Sequence, residues 1–283
     1  MTRFDVVIPT FNAPSARLAA AVGSARACAG VSRVIVVDDG SEPATSAPEG
    51  CELIRQSNTG PSAARNRGIE VSDAAWVVFL DDDDELIPAG VGAMIALAER
   101  LGAIGAVAAR FERRGEVPRL KGVPSEWSGK LLPRWEDVLR PIAIFGASGL
   151  LVSRRAIDVG IRFDPDLRVG EDREFLARVG QRGPIAVSGE PALTVALRDE
   201  GNLSSAAHLA RRARDHAVIA GRFGGAECAA HLREATTWLV NAAARAGVDD
   251  ASWRALVGLM QSRGWPVPLK ARVRRMFRRA KGA

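Results

Sequence analysis

The chain has 283 residues, 47% of them hydrophobic, which suffices for one large core and differs from the composition of a disordered protein. The formal net charge is +6, but residues 251–283 hold nine Lys/Arg and no Asp/Glu, so residues 1–250 carry 30 basic and 33 acidic side chains. A slightly acidic body excludes a general electrostatic surface for nucleic acid.

The three cysteines, Cys28, Cys51 and Cys228, are far apart and form no Cys-x-x-Cys or Cys/His grouping. This argues against a disulfide framework or a zinc site and favours a reducing, cytoplasmic setting. The N-terminus lacks the features of a secretory signal, and no stretch approaches the roughly 18 uncharged apolar residues of a membrane span. We therefore expect neither export nor an integral membrane protein.

Short apolar runs alternate with helix-prone segments up to about residue 111. The runs are mostly β-branched and end in proline or polar turn residues, which is typical of buried strands. We predict strands at Phe4–Pro9, Val34–Val37, Trp76–Leu80 and Ile104–Phe111, and helices at Ser15–Ala29, Pro61–Val71 and Pro88–Leu101. This alternation indicates an α/β fold with a Rossmann-like, mostly parallel central sheet flanked by helices.

The alternation loosens from about Lys121. Residues 124–133 are a predicted loop that contains Trp127, and the segment after Ser204 is Ala-rich without β-branched runs, which predicts a helical C-terminal extension. The further predicted elements are a strand over 142–152 and helices over 171–179, 204–222, 226–246 and 250–263.

Polar residues follow three predicted strands where each strand ends: Thr10 with Asn12, Asp38 with Asp39, and the run Asp81 to Asp84. Ligand sites of open α/β sheets lie outside these carboxyl ends. Four adjacent aspartates cannot all be ionised close together without a cation, and Mg²⁺ or Mn²⁺ prefers carboxylate oxygens completed by phosphate and water. An acidic run in an arbitrary loop is more often a solvated turn, but the position of this one favours a metal.

Two other features allow a structural and a functional interpretation. The Asp38-Asp39-Gly40-Ser41 segment can be a simple turn, or it can place a carboxylate on a ribose or base edge. Arg65, about one turn into a predicted helix, can be a surface arginine, or it can reach an anion or pair with an aspartate.

Five motifs occur in a fixed order along the chain. They are Val-Ile-Pro-Thr-Phe-Asn at 7–12, Val-Val-Asp-Asp-Gly-Ser at 36–41, Asn-Thr-Gly-Pro-Ser-Ala-Ala-Arg-Asn at 58–66, Phe-Leu-Asp-Asp-Asp-Asp-Glu-Leu at 79–86, and Phe-Asp-Pro-Asp-Leu-Arg-Val-Gly-Glu-Asp at 163–172. In this order and spacing they resemble family 2 glycosyltransferases over roughly residues 4–180. Each motif alone is weak evidence, whereas the ordered set is highly specific.

The resemblance implies a GT-A fold and an inverting glycosyltransferase that uses Mn²⁺ or Mg²⁺ and a nucleotide-diphosphate sugar, with a UDP-sugar favoured. The implied acceptor is a glycan or a lipid-linked molecule in cell-envelope or exported polysaccharide or glycolipid synthesis. We expect a catalytic domain over 1–200, with a nucleotide-sugar half (1–111) and an acceptor-side half (112–200), followed by a helical region over 201–283.

The resemblance also assigns roles residue by residue. On the donor side, Pro9, Thr10 and Phe11 would line the nucleobase pocket beside Asn12, Asp39 would contact the base or ribose, and Arg65 would hold the nucleotide. Asp81 would lie toward ribose and metal and Asp83 on the metal, while Asp82, at a position that is usually small or neutral, leaves the register ambiguous. Asp172 would be the general base, with Glu171 and Trp127 on the acceptor side. From the residues alone, Asp172 could instead be a helix N-terminal carboxylate stabilised by the helix dipole.

The histidines His208, His216 and His231 lie on predicted helices without evident ligand partners. Surface or packing roles are favoured over metal binding for all three. His208 follows the catalytic part of the chain and could approach the donor diphosphate.

Residues 266–281 form a predicted basic amphipathic helix, in which Leu269, Val273, Met276 and Phe277 lie at i, i+4, i+7 and i+8. This helix could lie on anionic lipid as a peripheral contact at the inner face of the plasma membrane. It could equally pack its apolar stripe on the protein itself.

Other functions fit less well. A dinucleotide-dependent oxidoreductase needs a Gly-rich turn after the first strand, where this chain has Pro-Thr-Phe-Asn, and an Asp-x-Asp phosphatase places that motif after the first strand. A sugar nucleotidyltransferase usually has an early Gly/Lys-rich phosphate loop, which is absent here. An inactive, glycosyltransferase-like scaffold at the membrane is disfavoured by the intact Asp81, Asp83 and Asp172.

Overall fold

The computed structural model describes residues 2–114, 117–139, 146–197, 209–223, 225–246 and 248–281. The chain divides into two compact units. The first comprises Met1–Val138, Ile142–Asp166 and Glu171–Leu197, and the second comprises Leu139–Pro141, Leu167–Gly170 and Arg198–Ala283. The functional division into residues 1–200 and 201–283 remains a prediction.

The first unit is built on a mixed sheet, whose strands in the described residues number ten. They are β1 (Phe4–Thr10), β2 (Val31–Asp38), β3 (Glu52–Arg55), β4 (Trp76–Phe79), β5 (Glu85–Leu86), β6 (Gly105–Arg114), β7 (Val117–Lys121), β8 (Lys130–Leu131), β9 (Leu151–Ser153) and β10 (Ile185–Ala196). The main order is β3-β2-β1-β4-β9-β6-β10-β5, with β7 paired to β6 and β8 paired to β10.

Strand direction reverses twice along the centre of this sheet, on either side of β9. The four strands β3-β2-β1-β4 are parallel, as the sequence predicted, and β6 and β10 are also parallel to each other. Strand β9 lies antiparallel between β4 and β6. The predicted strand over 142–152 is found only at Leu151–Ser153, while residues 142–145 lie outside the described part of the chain.

Helices with regular apolar periodicity in the sequence lie at the predicted positions. They are α1 (Ser15–Arg26), α2 (Pro61–Val71), α3 (Pro88–Arg100), α4 (Arg154–Asp158), α5 (Glu171–Gly180), α6 (Leu209–Arg222), α7 (Ala229–Ala246), α8 (Asp250–Ser262) and α9 (Leu269–Lys281). Both α2 and α3 begin with proline in their first turn, where the missing N–H costs no helical hydrogen bond. Residues 204–208 of the predicted helix over 204–222 are outside the described residues.

Both faces of the sheet are covered, as its continuous apolar strands predicted. In β1, Val6 and Ile8 belong to one core with α1 and α3, whereas Val7 belongs to the opposite core. That second core contains the edge-to-face pair Phe79 and Phe163, with ring centroids 5.0 Å apart. Successive strand residues point to opposite faces, so the sheet is buried on both sides and only its strand ends are available for a site.

The second unit has its own core, made by α6, α7, α8 and the segment leading into α9. Thr236 is fully buried there and donates to the Leu232 carbonyl, so its hydroxyl accepts the N–H of His216 Nε2, 2.8 Å away. This contact supports a packing role for His216, while His208 lies outside the described residues. None of the helices described in either unit is long and apolar enough to cross a membrane.

The contact between α3 and β10 depends on Gly90, since a Cβ there would lie 1.8 Å from the Pro191 carbonyl oxygen. We expect Gly90→Ala to lower the free energy of unfolding by about 1–3 kcal/mol, because the strand backbone must move. Gly92 in the same helix has open space around its Cα, so Gly92→Ala should raise stability by up to about 1 kcal/mol through helix propensity. Urea unfolding measures both, and equal stabilities would contradict this packing.

Candidate functional site

The carboxyl ends of β1, β2 and β4 lie side by side at one edge of the sheet. Thr10 at the end of β1 is in register with Asp38 at the end of β2, and β4 pairs in parallel with the other side of β1. The chain leaves β4 through Leu80 directly into the acidic run. The three polar strand ends predicted from the sequence therefore share one edge.

Asp82 is held by two protein donors. The Thr10 hydroxyl donates to Asp82 Oδ2 at 2.7 Å, and Arg17 Nη2 donates to Oδ1 at 2.9 Å. Arg17 lies in the first turn of α1 and was not identified from the sequence, although α1 is the helix that follows β1 and this was a usable signal. Because both carboxylate oxygens have protein partners, Asp82 ties the acidic run to the β1 edge.

Asp84 is buried, and Asp84 Oδ1 accepts the backbone N–H of Ala196 at 2.9 Å. Burial first, and then the charges of Asp81 and Asp83, raise the pKa of Asp84 to about 8, although hydrogen bonds from Ser148 and Ala196 partly offset the rise. Asp84 therefore acts as a buried carboxyl group that fastens the acidic run to β10. Asp81 and Asp83, in the same acidic run after β4, are half-buried.

Arg65 on α2 is buried and connects two carboxylates from distant parts of the first unit. Its Nη2 lies 2.7 Å from Asp81 Oδ1 and its Nη1 lies 3.2 Å from Glu171 Oε1, with the guanidinium 5.4 Å from the centre of the Phe163 ring. Burial alone would lower the pKa of Arg65, but Asp81 and Glu171 outweigh it and raise that pKa. Arg65 is thus no surface arginine but the link between the end of β4 and the start of α5.

Asp172 lies next to that link, in the first turn of α5. It is half-buried, and its Oδ1 accepts the backbone N–H of Arg173 at 2.7 Å. The neighbouring Glu171 is buried, so its pKa rises to about 7; the Asp172 charge adds to the rise and Arg65 opposes it. Of these two adjacent carboxyl groups, Asp172 is the more accessible.

Arg110 on β6 is a second cation near Asp172 that sequence analysis missed. A Cβ built on Gly146 would lie 3.5 Å from Arg110 Nη1 and 4.0 Å from Asp172 Oδ2, so both groups lie close to Gly146. Arg110 also forms an ion pair with Glu112, with Arg110 Nη2 2.6 Å from Glu112 Oε1. The site therefore has arginines on both its β4 side and its β6 side.

Asp39 stabilises the loop that follows β3. Its oxygens accept the backbone N–H groups of Thr59 at 2.9 Å and Gly60 at 2.7 Å, and the Gln56 side chain at 2.8 Å. Gly60 has φ +96°, a conformation that glycine adopts without strain, and it immediately precedes α2. Asp39 thus fixes the entry of the helix that carries Arg65, and its predicted contact with base or ribose stays a prediction.

Around the end of β1, the predicted nucleobase-lining residues differ in exposure. Pro9 and Thr10 are buried, whereas Phe11 is 48% exposed. Asn12 has φ +51° and anchors the turn, since its N–H donates to Ser41 Oγ and its Oδ1 accepts from the backbone of residue 42. Phe11 is therefore the aromatic ring of this group that is available for stacking.

Trp127 does not lie with these residues. It is only 4% exposed and packs in the core that contains Phe163 and Phe175. The indole therefore packs in this core, and its predicted acceptor-side role stays a prediction. Within the described residues, no three His, Cys, Asp or Glu side chains gather in a group that could hold a metal ion by themselves.

The chain matches a protein-family model, curated relatives and solved structures. A family model described as glycosyl transferase family 2 matches residues 5–158, more than half of the chain. The succinoglycan biosynthesis protein ExoO of Rhizobium meliloti (strain 1021) is 29% identical over 316 residues, covering 96% of this chain and 86% of that protein. ExoU of the same organism is 31% identical over 202 residues, covering 63% of this chain and 57% of that protein.

The crystal structure of S. aureus TarS 1-349 in complex with UDP-GlcNAc superimposes with a TM-score of 0.66 at 19% identity, covering 95% of this chain and 83% of that one. The complex with UDP gives a TM-score of 0.55 at 18% identity. At this identity the likeness concerns the fold alone, and it confirms the GT-A class predicted from the sequence.

The Arg65 bridge can be tested on stability. We expect Arg65→Met to lower the free energy of unfolding by about 3–5 kcal/mol, because the change leaves the buried Glu171 without this cation and removes the partner of the half-buried Asp81. Arg67→Met is the matched control on the same helix, since Arg67 and its partner Glu70 are about half exposed; its effect should stay below about 1 kcal/mol. Adding Glu171→Gln to Arg65→Met should recover part of the loss. Equal losses in the two single variants, measured by urea unfolding, would contradict a buried bridge.

Proposed function

Because the chain belongs to glycosyl transferase family 2, we propose that it moves a sugar from a nucleotide-diphosphate sugar to an acceptor hydroxyl, with inversion at the anomeric carbon. The observation that carries the proposal is the bridge from Asp81 through Arg65 to Glu171. It joins the acidic strand end, where a donor diphosphate would bind, to the helix that begins with Glu171 and Asp172, where a base is needed.

On the donor side, the exposed Phe11 ring offers a face on which a nucleobase could stack. Asp39 and the loop it holds border the same strand ends. The TarS complex with UDP-GlcNAc supports a nucleotide-sugar donor for a chain of this fold, and we favour a UDP-sugar. Arg65 would hold the Asp81 carboxylate in place beneath the nucleotide.

We propose that Mn²⁺ or Mg²⁺ binds at Asp81 and Asp83. Both are half-buried carboxylates in the acidic run after β4, and the charges of both raise the pKa of the buried Asp84. Asp81 accepts from Arg65 through Oδ1, whereas Asp82 accepts from Thr10 and Arg17 through both of its oxygens. A site with two protein carboxylates fits Mg²⁺, which takes its remaining ligands from substrate phosphates and water. When bound, the ion would stabilise the charge on the departing diphosphate.

The proposed base is Asp172. A sugar hydroxyl is a poor nucleophile, so the Asp172 carboxylate would accept its proton as the oxygen attacks the anomeric carbon. The new bond from carbon to the acceptor oxygen would form while the bond from carbon to the diphosphate oxygen breaks, and this single displacement inverts the configuration. Glu171 and Arg65 would position Asp172 through the first turn of α5.

The relatives also bear on the acceptor. Both are named for succinoglycan biosynthesis, which supports a glycan or lipid-linked acceptor in the synthesis of an exported or cell-envelope polysaccharide. The cysteines Cys28, Cys51 and Cys228 form no disulfide bond in the described part of the chain, which suits the reducing cytoplasm in which we propose the enzyme works.

The role of Asp172 can be tested by Asp172→Asn. We expect the variant to bind the donor within about twofold of the wild type and to lose transfer by about 10²–10⁴-fold, because an amide cannot accept the proton. Initial rates with a panel of nucleotide sugars and donor titration calorimetry measure the two quantities. Asp73→Asn, at a carboxylate 88% exposed, is the control and should transfer normally. Near-wild-type transfer by Asp172→Asn would refute the assignment.

The metal can be tested by chelation and by Asp83→Ala. Excess chelator should reduce transfer by at least about 100-fold, and added Mn²⁺ or Mg²⁺ should restore it. Asp83→Ala should require more metal for half-maximal rate, whereas Asp73→Ala should respond to metal like the wild type. Undiminished transfer in excess chelator would exclude the metal, and an unchanged metal requirement in Asp83→Ala would exclude Asp83 as a ligand.

A further inference from the structure

Helix α9 presents an apolar stripe to solvent. Leu269 is 74% exposed, Val273 37% and Met276 67%. Their spacing of four and then three residues places them on one face of the helix. Large apolar side chains occur singly on many surfaces, but three on one helical face form a continuous patch.

The opposite face of α9 attaches the helix to its own unit. Ala271 is buried in the core of the second unit together with Val267, which precedes the helix. Arg275 lies on the buried side, where it donates to the Val248 carbonyl and to Asp250 and lies over the Trp253 ring at 5.6 Å. These contacts fix the rotation of the helix about its axis, so the apolar stripe faces outward.

Basic side chains lie along the exposed stripe. Lys270, Arg272 and Arg274 are exposed, and residues 251–283 contain no acidic residue. The result is an apolar strip bordered by positive charge, the pattern of a helix that lies in the interface of an anionic bilayer.

We propose that the outward face of α9 binds the surface of an anionic lipid bilayer. A bilayer accommodates both parts of the face, since the acyl region takes the apolar side chains and the headgroups take the cations. Nucleic acid would pair with the basic side chains, but it would place the apolar side chains of Leu269 and Met276 against charged phosphate groups, where they gain nothing from burial. A second copy of the chain would bring two rows of like charge together. The proposal is independent of the transfer reaction.

The test uses the full chain and co-sedimentation with vesicles. We expect binding to vesicles of equal parts phosphatidylglycerol and phosphatidylcholine at about 50 mM salt, much weaker binding at about 500 mM salt, and none to pure phosphatidylcholine. Arg272→Gln/Arg274→Gln should weaken the partition coefficient by about 30-fold. Arg100→Gln/Arg182→Gln removes two exposed charges from the first unit and should leave binding unchanged.

A second pair of variants tests the apolar stripe. Leu269→Ser/Met276→Ser should weaken partitioning by about tenfold or more. Leu120→Ser/Val159→Ser, at side chains of similar exposure elsewhere, should have no effect. The Arg275 contacts are untouched in all four variants, and circular dichroism verifies that α9 remains folded.

Three outcomes would overturn the proposal. Binding that survives both tail variants would exclude α9 as the contact. Binding that depends on the arginines but not on Leu269 and Met276, with equal retention of single-stranded RNA, would identify a polyanion site. Sedimentation velocity showing a dimer that Leu269→Ser/Met276→Ser dissociates would identify a second copy of the chain as the occupant.

Discussion

The arrangement of the acidic edge depends on one buried cation, the Arg65 guanidinium. Removing such a group from water costs free energy. Two carboxylates offset that cost, Asp81 at Nη2 and Glu171 at Nη1. Because Asp81 follows β4 and Glu171 begins α5, the electrostatic requirement of a single side chain fixes the distance between the two parts of the site. The Asn66 amide supports the same connection through paired hydrogen bonds to the Phe163 backbone.

The four aspartates show how a fold divides one local sequence into different chemical roles. Like charges at this spacing oppose each other's ionisation, and the protein resolves the conflict differently at three of the four positions. Asp82 has a hydroxyl and a guanidinium, Asp84 is buried with a raised pKa, and Asp81 has Arg65. Asp82 thus has a protein partner on each carboxylate oxygen, and the assignment of Asp81 and Asp83 to the metal stays a proposal.

The spacing of apolar residues and the positions of proline and glycine predicted those helices and strands whose ends depend on neighbouring residues. Helix α2 has the predicted bounds because Pro61 and Gly60 start it and its apolar residues keep helical spacing, whereas β10 was missed because Gly189 to Pro191 interrupts its apolar pattern and shifts its register against β6. The Asp-rich edge was predictable since it needs only strand ends. The partners of Arg65 were not fully predictable, because Glu171 is 106 positions away in sequence and only packing brings it close.

Helix α9 is a second case in which contacts between residues distant in sequence decide what the sequence pattern leaves open. Its periodicity identified Leu269, Val273 and Met276 as one face, but periodicity alone cannot say whether that face meets protein or solvent. The contacts of Arg275 decide which side of the helix meets the protein. Its hydrogen bonds to a carbonyl and a carboxylate hold that side of the helix against the second unit. The apolar side therefore faces outward, although burying apolar side chains is normally favourable.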